Sequence, residues 1–277
     1  MAIITISRGS FNRGKEVAET LAQRLGYACV SRDVLLEASE EFNIPEIKLV
    51  RALREPTTAL ERFQHGRERY VRYIQSALLR HAARDNLVYH GLAGHYFLRD
   101  LPHVFKVRVL ADMEVRVREE MRRAHLTEEE ARNLLKADDE ERRKWSLRLY
   151  GIDIWDTRLY DIVLRIGRLD VDDAVEILFR MAQKPAFQST PESRQQVKEM
   201  AFAARVRANL AKRYPWVRIT TRAGTVYIQQ WNRETGGKEE DAIREILRGV
   251  EGVRDVVFNL LPEGDPGHSV NPFHKIP

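Results

Sequence analysis

Cys29 is the only cysteine in 277 residues, so no disulfide can form within the chain and a reducing, cytoplasmic setting is expected. No apolar run approaches the ~20 residues that a membrane-crossing helix needs. The opening Met1-Ala-Ile-Ile-Thr-Ile has no basic n-region or cleavage site and enters a strand pattern at once, so no signal peptide is expected. Basic residues interleaved with aromatics, the stripe of single-strand nucleic-acid binders, are also missing. What remains is a chain that is 43% hydrophobic and 31% charged, with the charges scattered rather than gathered in a tail. That is the composition of a globular protein and not a disordered one.

The net charge is +5 and the isoelectric point about 9.3. A basic balance suits a protein that handles phosphates. Nucleic-acid binding rests on the isoelectric point alone and ranks last.

Short β-branched runs alternate with helical periodicity. Ile3–Ile6 reads as a buried strand, followed by a loop containing Gly9 and Gly14 and a helix carrying Val17, Leu21 and Leu25. Further strands are expected at 27–30, 86–90, 104–110 and 160–166. Ser31 is expected to cap the helix through Leu35 and Leu36, and residues 45–85 to be helical with a break at Pro56. Two helices fill 112–150, broken near His125-Leu126-Thr127, and Thr127 with Glu130 forms a capping box. The predicted fold class is α/β, a three-layer parallel sheet with a helical lid, plus a small C-terminal α+β domain. The domain boundaries are 1–183, a linker at 184–193, a second domain at 194–262 and a loose tail at 263–277.

Gly9-Ser-Phe-Asn-Arg-Gly14-Lys15-Glu16 fits G-x-x-x-x-G-K between a strand and a helix, the context of a phosphate loop. Glycines let backbone N–H groups turn toward a polyphosphate, a helix starting near Gly14 adds its positive end, and Lys15 adds a full charge. Glu16 stands where a Ser or Thr hydroxyl would hold Mg²⁺; it either takes that role differently or faces away. Arg118 and Arg122 share a helix face, and Arg142 follows Asp139 by three. Such arginines can close over a transferring phosphoryl group, and equally they form an ordinary exposed charge lattice.

Ile4-Thr-Ile-Ser7-Arg8, Gly14-Lys15-Glu16, Ser31-Arg-Asp33, the run His90 to Leu98, Thr127-Glu-Glu-Glu-Ala131, Asp139-Glu-Glu-Arg142 and Tyr160-Asp161 together resemble the cytidylate-kinase-like branch of the nucleoside monophosphate kinases. The resemblance covers about residues 1–180. It implies a P-loop phosphotransferase that uses ATP and Mg²⁺ to phosphorylate CMP, dCMP or a related small acceptor. By that resemblance Gly9, Ser10, Asn12, Arg13, Gly14, Lys15 and Glu16 would hold the ATP phosphates. Lys15, Arg118 and Arg142 would be catalytic, and Arg8, Asp33, Gly91 and Arg122 would face the acceptor. The family usually reads Gly-Arg-Gly after the third strand; here Gly91-Leu92-Ala93-Gly94 lacks that arginine. A nucleotide-binding regulator that has lost turnover is therefore the alternative.

Residues 217–229 and Gly249-Val-Glu-Gly252-Val-Arg-Asp-Val256 resemble a BON module. This implies binding of a protein, ligand or lipid surface, or dimerisation, rather than chemistry.

Overall fold

The computed structural model describes residues 2–9, 11–45, 48–49, 66–91, 93–215, 217–229 and 237–258. The expected break at Pro56 and the tail at 263–277 lie outside these residues. No helix among the described residues is long and apolar enough to cross a membrane.

Five strands form a parallel sheet in the order β2-β3-β1-β4-β5: β1 (Ile3–Arg8), β2 (Ala28–Val30), β3 (Leu87–Tyr89), β4 (Val104–Ala111) and β5 (Ile162–Ile166). Parallel neighbours require crossovers, and helices supply them. These are α1 (Phe11–Leu25), α2 (Asp33–Glu41), α3 (Gly66–Ala82), the single turn α4 (Gly94–Phe97), α5 (Met113–Ala124), α6 (Glu128–Tyr150) and, after β5, α7 (Val171–Ala182).

Alternate strand residues point to opposite faces, and the sequence uses that parity. Ile4, Ile6, Val88, Phe105, Val107 and Val109 pack under α1 and α7 with Val17, Leu21, Val175 and Leu178. Ile3, Leu87, Tyr89 and Val104 pack on the other face with Val34 of α2 and Val71, Ile74 and Leu78 of α3. Each fully buried side chain of this kind contributes about 1.5–3 kcal/mol. The capping box at Thr127 forms as expected: the Glu130 N–H donates to Thr127 Oγ1, and the Thr127 N–H donates to Glu130 Oε2 at 2.8 Å.

Three local expectations are corrected. The first helix begins at Phe11, not near Gly14, so its free N-terminal amides come from an earlier segment. Ser31 does not cap α2; Arg32 occupies that position without a side-chain bond, and Asp33 instead accepts the Ser31 N–H at 3.2 Å. The linker is also shorter, because Thr190 and Ser193 form a capping box that starts α8 (Pro191–Leu210) with proline in its first turn.

Helix α8 belongs to two cores at once. Val197, Met200, Ala201, Ala204 and Ala208 join the α3 cluster. Val206 and Leu210 join Ile219, Val226, Ile228, Ile243 and Leu247 beneath a second sheet. That sheet is β6 (Arg218–Arg222) and β7 (Thr225–Gln229) as an antiparallel hairpin, then β8 (Asp255–Phe258) parallel to β7 after α9 (Gly237–Arg248). Arg72 of α3 also donates to the Pro215 carbonyl at 2.9 Å.

Candidate functional site

In an open parallel sheet, ligands bind outside the carboxyl ends of the strands where the chain order reverses. Here that place is the end of β1, between β3 and β4. Arg8 closes β1 there. A Cβ on Gly14 would lie 2.7 Å from Arg8 Cγ, so the absence of a side chain at Gly14 lets the first turns of α1 rest on the arginine stem.

Arg8 is half-buried, and burial together with the neighbouring Arg142 guanidinium pushes its pKa down to about 10. Arg142, reaching in from α6, donates to the Arg8 carbonyl at 3.4 Å and lies 3.4 Å from Asp138. His90, at the end of β3, is 4% exposed and its Nδ1 has no partner. Burial, then Arg8 and Lys15, lowers its pKa to about 4, so the ring is neutral near pH 7. Asp33 acts on His90 in the opposite sense, which puts it within electrostatic reach of the same crevice.

The sequence-predicted residues thus divide. Arg8, Gly14, Lys15, Asp33 and Arg142 gather around the end of β1. Lys15 is half exposed, with its Nζ 3.5 Å from Glu19 Oε1. The Gly9 N–H, expected to face a phosphate, instead donates to the Val109 carbonyl at 2.8 Å, because the β1–β4 ladder runs on past Arg8. Glu16 is exposed 3.4 Å from Arg13, whose Nε donates to Glu119 at 2.8 Å. Gly91 serves packing: a Cβ there would lie 2.1 Å from the Tyr89 hydroxyl oxygen. Arg118 and Arg122 are exposed on α5. Ser10 and the side chain of Asn12 lie outside the described residues.

Two arginines escaped the sequence reading. Arg116 makes a bidentate ion pair with Asp139 at 2.6 and 2.9 Å, both largely buried, and so fixes α5 to α6. Arg108 is 6% exposed on β4. Its signal was in the sequence: in Val104-Phe-Lys-Val-Arg-Val-Leu110 charges interrupt an apolar strand flanked on both sides.

Ala93, at the entry to α4, has φ 63°, left-handed backbone that costs a non-glycine residue of order 1 kcal/mol and occurs here beside the crevice. Among the described residues no three His, Cys, Asp or Glu side chains converge as metal ligands.

Residues 3–168 match the cytidylate kinase-like family. No curated protein matches the chain. Among solved structures, an uncharacterized protein from Eubacterium ventriosum is 22% identical with a TM-score of 0.50, over 65% of this chain and 98% of that one. A shikimate kinase from Bacteroides thetaiotaomicron is 13% identical (TM-score 0.42, 66% and 100% covered). A gluconokinase from Sinorhizobium meliloti is 17% identical (TM-score 0.40, 68% and 98% covered).

Proposed function

The chain belongs to the cytidylate kinase-like family, and from that membership we propose that it transfers the γ-phosphoryl group of ATP to a nucleoside monophosphate, CMP or dCMP first. The observation that carries this reading is the cationic crowding at the end of β1. Burial, then the Arg142 guanidinium, lowers the pKa of Arg8, and both Arg8 and Lys15 act on the buried, neutral His90. Like charges gathered in a crevice are relieved by an anion, and a polyphosphate is the anion this family implies.

In this reading the first N–H groups of α1, from Phe11 to Arg13, have no i→i−4 helical partner and present the positive end of the helix to the phosphates. Lys15 exchanges its exposed contact with Glu19 for the β and γ phosphates. Arg142 spans from α6 to the end of β1 and neutralises charge on the transferring group. An acceptor phosphate oxygen bonds to Pγ as the bond from Pγ to the β,γ-bridging oxygen breaks, and ADP leaves with that electron pair. No side-chain base is needed, because positioning and charge stabilisation supply most of the rate.

Glu16 lies beside Arg13, and among the described residues no three His, Cys, Asp or Glu side chains converge as ligands. Mg²⁺ in this reading arrives on the ATP phosphates, as this hard cation commonly does. We assign the β6-β7-α9-β8 unit to binding or dimerisation, since the sequence reading finds no catalytic cluster there.

A coupled assay of ADP release with CMP, dCMP, UMP and AMP tests the proposal. Acceptor-dependent release, fastest with a cytidylate, supports it. Tight ATP binding with identical rates in the presence and absence of every acceptor favours the regulator reading instead.

A further inference from the structure

Ser7 and Arg108 are register partners on β1 and β4, so both point to the α3 face of the sheet, opposite to α1. Arg108 Nη1 donates to Ser7 Oγ and to the Tyr160 hydroxyl, each at 3.1 Å. The Tyr160 hydroxyl in turn donates to the Ile154 carbonyl at 3.1 Å and lies 3.3 Å from Ser7 Oγ. These partners are neutral. No carboxylate pairs with Arg108 among the described residues, and the nearby acids are engaged elsewhere: Asp153 holds Arg143, and Asp161 accepts the Lys106 N–H.

The Arg108 guanidinium is 6% exposed, and its partners are two hydroxyls and the face of the Tyr160 ring, 5.4 Å to the centroid, so it is a buried cation with no counter-charge beside it. The remaining nitrogens, Nε and Nη2, have no hydrogen-bond partner among the described residues and are not enclosed. They form the edge of the guanidinium fork that grips an oxyanion with two parallel bonds. Nearby, His95 is buried with its Nε2 unpartnered, its ring 5.3 Å from that of Tyr160. Burial, then Arg108 and Lys106, keeps this histidine neutral, so it adds no opposing charge.

The location narrows the ligand. The long insertion between β2 and β3, including α2 and α3, covers this same face, and Ser7 precedes the Arg8 crevice by one residue. A two-faced site follows, with the donor polyphosphate on the α1 side of β1 and a second anion on the α3 side.

We infer that Arg108, steadied by Ser7 and Tyr160, binds the phosphate monoester of the acceptor from the α3 face of the sheet. This inference rests on the phosphotransferase reading above and adds the acceptor's anionic subsite to it.

The test uses the full chain and its R108Q and R108K variants. Each is saturated with a non-hydrolysable ATP analogue, titrated calorimetrically with inorganic phosphate against a matched chloride control, and assayed for ADP release with CMP. R108Q is expected to weaken phosphate binding and raise the KM for CMP roughly tenfold or more, with the affinity for the ATP analogue within about twofold of wild type. R108K falls between, because it keeps the charge and loses the fork. If CMP is not turned over but phosphate binds and R108Q abolishes that binding, the Arg108 subsite stands and the cytidylate reading falls. The subsite is overturned by three results: no phosphate binding in wild type, phosphate binding unchanged in R108Q, or equal losses for phosphate and analogue with a lowered melting temperature. Should R108Q fail to fold, R108K decides, and wild-type phosphate affinity in that variant overturns the inference.

Discussion

Arg142, on the long helix α6, donates to the main-chain carbonyl of Arg8 at 3.4 Å across 134 residues of sequence. This contact brings the helical lid to the end of the central strand, where burial and then the Arg142 guanidinium make Arg8 harder to keep charged. The arrangement favours whatever brings negative charge between them.

Arg142→Ala removes that lid contact together with a weak pairing to Asp138. Turnover is expected to fall about 100-fold or more, the scale of losing one preorganised donor to a transition state. The melting temperature should move little, because the side chain is partly exposed. Steady-state kinetics alongside thermal melts check this, and unchanged kcat would remove Arg142 from the site.

Lys15→Ala and Gly14→Ala separate charge from shape. Lys15 is half exposed and makes only a 3.5 Å contact with Glu19, so its loss should leave stability within about 0.5 kcal/mol while weakening ATP binding roughly tenfold or more. A Cβ on Gly14 would lie 2.7 Å from Arg8 Cγ, so Gly14→Ala should destabilise by about 1–3 kcal/mol and displace Arg8. Calorimetric ATP titrations and denaturant unfolding distinguish the two. Equal stability loss in both variants contradicts the assignment.

His90 gives a pH signature. Its folded pKa of about 4 lies below the ordinary value of 6.5, so between those values the unfolded chain binds a proton that the folded chain refuses. Its contribution is therefore complete above pH 6.5 and is lost as pH falls toward 4, at about 1.4 kcal/mol per pH unit. His90→Asn should flatten this part of the stability–pH curve. Bound ATP should also raise the His90 pKa, since Arg8 and Lys15, which help to lower it, would then face phosphates. Histidine NMR titration with and without ATP reads this directly, and no shift on binding puts the nucleotide elsewhere.

The pattern of strands and helices was legible in the residues because parity and periodicity are local properties: Ile4 and Ile6 choose one face, Ile3 the other. The start of α1 was not, because Gly14 looks like loop yet sits inside the helix, where its missing side chain fits Arg8. Gly91 has a packing role that its sequence motif does not show, since its missing side chain accommodates Tyr89, two residues back on β3. Arg116 and Arg108 were harder still. Their partners, Asp139 and Tyr160, are 23 and 52 residues away, a spacing that only the folded sheet and paired helices bring together.

Residues 194–262 were read as a second domain after a linker at 184–193, and α8 carries side chains of both the α3 core and the core beneath the second sheet. Deleting residues 191–277 strips Val197, Met200, Ala201, Ala204 and Ala208 from the α3 core. The truncated chain is expected to lose at least about 5 kcal/mol of stability, or to aggregate. Thermal melts of residues 1–190 against the full chain decide it, and matching transitions would restore the independent-domain picture.

The central claim is phosphoryl transfer at the end of β1, and phosphorus NMR of ATP mixed with CMP and the full chain measures it most directly. The account predicts CDP and ADP appearing together in equal amounts, with Lys15→Ala slowing both. ATP left intact beside CMP, or ADP formed with free phosphate and no CDP, would contradict it.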